Sequence, residues 1–321
     1  MRAAVCPHFG PPEVVRIQQH HVRRTQRGEV GVRVSVAAVN FPDVLLIANS
    51  YQVSVPPPFV PGSEFAGVVD EIGSGVEGFA VGDLVSGTVM VGAFAQRIVV
   101  DAASVALVPD GVDAVTAAAS GVAHRTAYHA LRSSARLSPG QDVVVLGAGG
   151  GVGLAAVQLG VALGARVTAV ASSAEKLAVA AHHGAHRTIN HRDGELRAAL
   201  RAALPGGADA VIDPVGGDLS EPALRSLRRG GRFVTVGYAS GVIPRIPLNL
   251  VLVKGLHVLG FQFQDIAADE FARNEGELRE MLVDGRIRPH IGAVYSLDDT
   301  ANALRHVGEG RAIGKVLIDL S

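Results

Sequence analysis

The amino-acid sequence predicts an α/β protein of two domains, one of them a doubly wound parallel sheet. Three observations carry this. The chain has 321 residues, and at roughly 100–200 residues per domain that length fits two cores. From residue 121 onward, short β-branched runs alternate with helical patterns, as parallel strands joined by crossover helices do. Between the first such run and the first helix after it lies Gly147-Ala148-Gly149-Gly150-Gly151-Val152-Gly153, a turn that lets backbone N–H groups at a helix start approach a ligand closely.

The elements follow in order. Strand-like runs at 30–36, 64–71 and 97–100 are separated by turn residues, among them Pro56-Pro57-Pro58, Pro61-Gly62, Gly73, Gly75, Gly78 and Gly82-Asp83. This part reads as a mostly β domain. A helix is expected over 123–137, stopped by Ser138-Pro139-Gly140. Six strands are expected at 143–146, 166–171, 187–189, 210–212, 232–236 and 257–259, with helices at 154–163, 174–183, 196–203 and 222–228 between them. The tail, from residue 265, predicts a helix at 270–284 and an apolar strand at 315–320 that rejoins the first domain.

Composition removes several classes of function. Lys and Arg number 29 against 30 Asp and Glu, a net charge of −1, so no nucleic-acid partner is expected. The single cysteine, Cys6, permits no disulfide framework and no zinc site of several thiolates. It lies in an apolar run and reads as a core thiol. The apolar run at the N-terminus is too short for a secretory signal, which predicts a cytoplasmic protein. Residues 143–165 carry no charge and have the length of a membrane span. Their central glycines make a very weak helix, so a buried strand, a turn and a buried helix are expected and no membrane partner.

The glycine turn approaches the dinucleotide fingerprint in the register Ala148-x-Gly150-x-x-Gly153, with Ala replacing the first Gly. Its position after a strand and before a helix gives the pattern weight. Ala148, Gly150, Gly151 and Val152 are therefore candidates to cradle a pyrophosphate. Read without a cofactor, the same glycines serve only tight helix–sheet packing. The second strand ends at Ala171-Ser172-Ser173-Ala174-Glu175-Lys176. No acid stands at the tip itself, where one would favour an unphosphorylated ribose. Ser172, Ser173 and Lys176 can hold a 2′-phosphate of roughly −2 charge, which predicts NADPH. The bland alternative is a serine helix cap with a solvated lysine.

Several segments together resemble the zinc-independent quinone oxidoreductases, the zeta-crystallin type, of the medium-chain dehydrogenase/reductase superfamily. They are Ala37-Ala38-Val39-Asn40-Phe41-Pro42-Asp43, Pro61-Gly62-Ser63-Glu64-Phe65-Ala66-Gly67, Gly82-Asp83-Leu84-Val85, the glycine turn with Gln158, Asn190-His191-Arg192 and Gly314-Lys315-Val316. One departure is Val161, where the family usually has a basic residue. Zinc-containing relatives carry Cys and His at the positions matched by Asn40 and Ser63. The resemblance therefore implies no metal.

The resemblance implies a GroES-like β domain of residues 1–120 with 265–321, a Rossmann domain of residues 121–264 with a six-stranded parallel sheet, an active site in the cleft between them, and a homodimer. It implies hydride transfer from NADPH to a quinone or an α,β-unsaturated carbonyl. Asn40, Tyr51 and Thr126 are its catalytic candidates; read alone, Tyr51 is a loop tyrosine beside the proline run and Thr126 a helix-interior threonine. His191 is implied near the adenosine phosphate. Gly237, Tyr238, Ala239 and Ser240 lie on the carboxyl edge of the fifth strand, Phe261 and Phe263 flank the nicotinamide, and Lys315 reaches toward the cofactor phosphates. Two other activities remain open at this stage. One is an enoyl-thioester reductase of the same family. The other is an NADPH-binding protein with structural or RNA-associated work and no turnover.

Overall fold

The computed structural model describes residues Met1–Ser321. It divides into two units, Met1–Val122 with Pro289–Ser321, and Ala123–Arg288. The first junction lies within two residues of the expected boundary at 120. The second, after Arg288, corrects the expected boundary at 265.

In the first unit, β1 (Arg2–Val5) and β2 (Arg16–Gln19) pair antiparallel. Then come β3 (Glu29–Val39), α1 (Phe41–Ile47), β4 (Glu64–Ile72), β5 (Leu84–Thr88), β6 (Arg97–Asp101), β7 (Val105–Leu107) and α2 (Ala114–Ser120). The second unit holds α3 (Ala123–His129), β8 (Asp142–Leu146), α4 (Gly151–Ala162), β9 (Arg166–Ala171), α5 (Ala174–His182), β10 (Arg187–Asn190), α6 (Leu196–Ala203), β11 (Ala208–Asp213), α7 (Ser220–Ser226), β12 (Leu227–Thr235), α8 (Leu248–Lys254), β13 (His257–Gly260) and α9 (Ala268–Val283). The chain then returns to the first unit with β14 (Ile291–Ser296), α10 (Thr300–Gly308) and β15 (Lys315–Asp319).

The first unit's main sheet runs β14-β15-β3-β4-β5-β7, with β6 also on β3. β3 is long because its valines and alanines bury almost every residue, Val30, Val32 and Val34 against the core of Phe65 and Phe94. Cys6 lies in that core, its backbone N–H bonded to the Phe59 carbonyl. The register matters for function. Val39 pairs with Val316 on β15, and Ala38 pairs with both Leu317 and Glu64. The residue after β3, Asn40, is thereby brought to the first residues of β4 and β15, Glu64 and Lys315.

The second unit is a six-stranded parallel sheet in the order β10-β9-β8-β11-β12-β13. β8 shows no polar alternation because both its faces are covered. Val143 and Val145 enter one core, Val144 and Leu146 the other. Residues 143–165 are thus strand, turn and helix, and no helix of the chain is long and apolar enough to cross a membrane. The expected helix over 123–137 is α3 followed by a π-helical turn, Ala130–Ser134.

α9 explains the corrected boundary. Its Leu278 and Met281 join the core of the second unit. Its Glu275 accepts from Arg125 at 2.8 Å and lies 2.9 Å from Nε2 of the buried His129, both on α3. An amphipathic helix does not declare in sequence which sheet it will cover.

Burial pushes the Cys6 thiol above its ordinary value, and the residue is wholly inaccessible. Thiolate is the reactive form. The native protein is expected to give no colour with a disulfide reagent at neutral pH and one thiol per chain after denaturation. Rapid titration of the native state would contradict the packing described.

Candidate active site

At the carboxyl end of β8 the chain turns at Gly147, whose φ of +60° suits glycine. Ala148 N–H bonds to the Val170 carbonyl at 3.0 Å, and Gly150 caps α4, its carbonyl accepting from Leu154 at 2.8 Å. A Cβ on Gly153 would collide with the Gly147 carbonyl, and one on Gly149 with the Lys176 side chain. Gly151 and Val152 open the helix, half-buried, with no acidic residue in its first turn. Their N–H groups have no intrahelical partner and could hold an anion at the switch point of the sheet, where β8 adjoins β9 and β11.

The tips of β9 and β10 add positive charge. Ser173 caps α5 by accepting from Lys176 N–H at 3.3 Å, with Ser172 half-buried beside it. Burial, then the Arg192 charge, lowers the Lys176 ammonium from its ordinary value. Burial, then Arg192, and also Lys176, lower the His191 imidazole. Lys176, His191 and Arg192 therefore feel one another's charge, a repulsion that an anion between them would relieve. Arg192 was absent from the sequence-based set; the signal for it was its place in Asn190-His191-Arg192.

The next strand ends are tied together. Asp213 is fully buried at the end of β11. Its Oδ1 accepts from Val215 and Gly216 at 2.9 and 2.8 Å, and its Oδ2 from the Ser220 hydroxyl at 2.5 Å. It fixes the loop against which 237–241 lies: Ala239 and Ser240 N–H bond to the Pro214 and Val215 carbonyls, and the Tyr238 ring rests over Gly216. Asp213 too escaped the sequence reading. After β13, the Phe261 and Phe263 rings meet edge-on at 5.1 Å. Arg125 of α3 stands 5.5 Å from the Phe263 ring, so the helix carrying the buried Thr126 is pinned to these aromatics.

In the first unit, Asn40, Glu64 and Lys315 form a closed polar ring inside the fold. Lys315 Nζ donates to Asn40 Oδ1 at 2.6 Å and to Glu64 Oε2 at 3.0 Å. Asn40 Nδ2 donates to the same Glu64 oxygen at 2.9 Å. Glu64 Oε1 accepts from the Val122 N–H at 2.6 Å. Lys315 is 3% exposed and Glu64 1%. This corrects the expectation that Lys315 reaches cofactor phosphates: its ammonium is enclosed and engaged by oxygens. Tyr51 follows α1 in a loop and packs half-buried against the first unit's core.

Asp43 completes the cluster. Its Oδ2 accepts from the Asn40 N–H at 2.7 Å, while Oδ1 has no hydrogen-bond partner. Burial pushes its carboxyl up to about 7, against the lowering effects of Asn40, Ser63 and Lys315.

Residues 26–110 match the alcohol dehydrogenase GroES-like domain family, and residues 151–278 match the zinc-binding dehydrogenase family. The chain is 36% identical to quinone oxidoreductase-like protein 2 of Bos taurus, over 99% of this chain and 92% of that one. The chain belongs to the quinone oxidoreductase-like branch of the medium-chain dehydrogenase/reductase superfamily. Within that superfamily it resembles the Escherichia coli quinone oxidoreductase solved with NADPH, with a TM-score of 0.91 at 28% identity over 99% of this chain and 100% of that one. It equally resembles a structure described as an NAD-dependent alcohol dehydrogenase, with a TM-score of 0.92 at 31% identity over 100% of each chain.

The second family match implies zinc, and the residues of this superfamily member do not fit it. Asn40 and Ser63 are weak neutral donors in place of thiolate and imidazole. The two oxygens best placed for a cation, Asn40 Oδ1 and Glu64 Oε2, are held by Lys315. No group of three His, Cys, Asp or Glu could hold a metal ion. The glycine turn and basic tips, by contrast, fit a phosphorylated dinucleotide.

Asp43 gives a pH prediction. Its folded-state value of about 7 lies above the ordinary 3.8. Its stabilising contribution is thus complete below pH 3.8 and is lost as pH rises through 7. Asp43→Asn, which mimics the neutral acid, should match wild type near pH 4 and exceed it at pH 8 by roughly 4 kcal/mol. Urea denaturation across pH checks this; a stability difference independent of pH would contradict it.

Proposed function

We propose that this chain is a zinc-independent, NADPH-dependent reductase that delivers hydride to a quinone or an α,β-unsaturated carbonyl. The observation carrying the reading is the Lys315 ammonium, which engages Asn40 Oδ1 and Glu64 Oε2, the two oxygens a cation would otherwise use. Without a metal as Lewis acid, the suitable acceptor is one whose conjugated oxygen takes up the developing charge by hydrogen bonding. Asn40 and Tyr51 are the donors for that oxygen, and Thr126 the residue beside the nicotinamide. When bound, NADPH supplies the hydride. Gly150, Gly151 and Val152 would hold its pyrophosphate, and Ser172, Ser173, Lys176, His191 and Arg192 its 2′-phosphate. The relative solved with NADPH supports this cofactor, and so does the absence of an acid at the tip of β9.

A panel of quinones, enones and enoyl thioesters, followed by loss of NADPH absorbance, tests the reading. Quinones or enones should turn over fastest. NADPH should exceed NADH in kcat/KM by roughly 10- to 100-fold, the worth of one or two charge-assisted contacts. Lys176→Glu should bring the two cofactors to near equality. Equal use of both by the wild type would count against the phosphate site.

We also propose that the working form is a homodimer. α8 buries none of its residues, with Leu248 75% and Leu252 82% exposed, and neighbouring Ile243 and Val258 are exposed as well. β13 is an edge strand with one side unpaired, a combination that isolated proteins avoid. Sedimentation velocity should give twice the chain mass, falling to one chain in Leu252→Glu. A monomeric wild type at micromolar concentration would refute it.

A further inference from the structure

We propose that Lys315 is a positioning residue that locks the Asn40 carboxamide in one orientation. The inference rests on the metal-free reading above and gives the internal cation a task within it. The strand register sets the three groups together: Lys315 begins β15, Glu64 begins β4, and Asn40 follows β3 between them.

The ring they form has only one sense. Lys315 Nζ can donate but not accept, and Glu64 as a carboxylate can accept but not donate. Asn40 meets both, its Oδ1 on the ammonium at 2.6 Å and its Nδ2 on the carboxylate at 2.9 Å. A flipped amide would set N–H groups against the ammonium and a carbonyl oxygen against the carboxylate. Two repulsive contacts would replace two attractive ones. An asparagine beside ordinary neutral partners has no such restraint.

The lock leaves one donor for use. Asn40 Nδ2 carries two hydrogens, and Glu64 takes one. The other has only distant partners, the Ala38 carbonyl and the Ser63 hydroxyl, each at 3.4 Å. Asn40 is 8% exposed, against 3% for Lys315 and 1% for Glu64. The ammonium therefore acts through Asn40: it fixes the sense of the amide, so that an N–H rather than a carbonyl oxygen faces an acceptor's developing negative charge.

The test uses the intact protein, saturating NADPH, and whichever quinone or enone the wild type reduces. Lys315→Met alone leaves the Glu64 carboxylate buried and unpaired, which threatens the fold. Lys315→Met combined with Glu64→Gln removes both charges and avoids this. The carboxamide that then replaces the Glu64 carboxylate can donate or accept, so the Asn40 amide loses its single sense. The pair should lower kcat roughly 10- to 100-fold, with the NADPH Kd within about twofold of wild type, as for a lost oxyanion donor. Adding Asn40→Ala to the pair should lower kcat no further than Asn40→Ala alone, since both changes remove one function. A purely structural role predicts losses that multiply. Wild-type kcat in the pair, or multiplying losses, would overturn the inference while the proposed function stood. A wild type inert toward every acceptor would overturn that function and this inference together.

Discussion

A buried ion pair between Lys315 and Glu64 is the constraint on which the polar cluster inside the first unit depends. Enclosing an ammonium and a carboxylate is costly unless each is hydrogen-bonded on all sides. Here the strand register supplies those partners: Asn40 serves both ions, and the Val122 N–H takes the second Glu64 oxygen. Removing one member would leave an unpaired charge inside the fold, a loss of about 3–5 kcal/mol in comparable buried pairs. Side chains at the ends of three strands are thus bound to one geometry. In the proposed function, the neutral amide, the buried Asp43 carboxyl and the fixed cation leave hydrogen bonding, rather than metal coordination, to meet a developing charge.

The second unit solves a different problem. A phosphorylated dinucleotide needs close backbone approach at one point and positive charge at another. The all-parallel sheet provides both on its carboxyl edge. The glycine turn after β8 packs closely, because a Cβ on Gly149 would meet the Lys176 stem and one on Gly153 the Gly147 carbonyl. The tips of β9 and β10 gather Lys176, His191 and Arg192 at mutual electrostatic range. Asp213 holds the adjoining loop by bonds to Val215, Gly216 and Ser220. Such features are compatible with more than one dinucleotide at the level of fold, and the charge at the strand tips is what separates them.

Much of the second unit was legible because local pattern decides it. A run such as Val143-Val144-Val145-Leu146 is apolar on both faces only in a covered parallel strand, and the glycines after it admit few alternatives. The first unit was less so. α2 has alanine at four of its seven positions and shows no amphipathic period, and β5 and β7 are short. α9 shows a helical pattern in sequence but no sign of its partner, whereas Leu278 and Met281 join the core of the second unit. Lys315 is the clearest case. Its partners are Asn40 and Glu64, 275 and 251 residues away. An isolated lysine before a strand reads as solvated or phosphate-binding, and only the pairing of β15 with β3 turns it inward. Asp213 and Arg192 were overlooked for the same reason: their roles come from loops and charges that the fold gathers.

A metal-free site should need no metal to work. The direct measurement is the rate of NADPH oxidation by protein stripped with a strong chelator and verified by elemental analysis. A stripped sample with the full rate of the untreated one is the expected result. Lost activity that returns with added zinc would contradict a site built on the ammonium of Lys315.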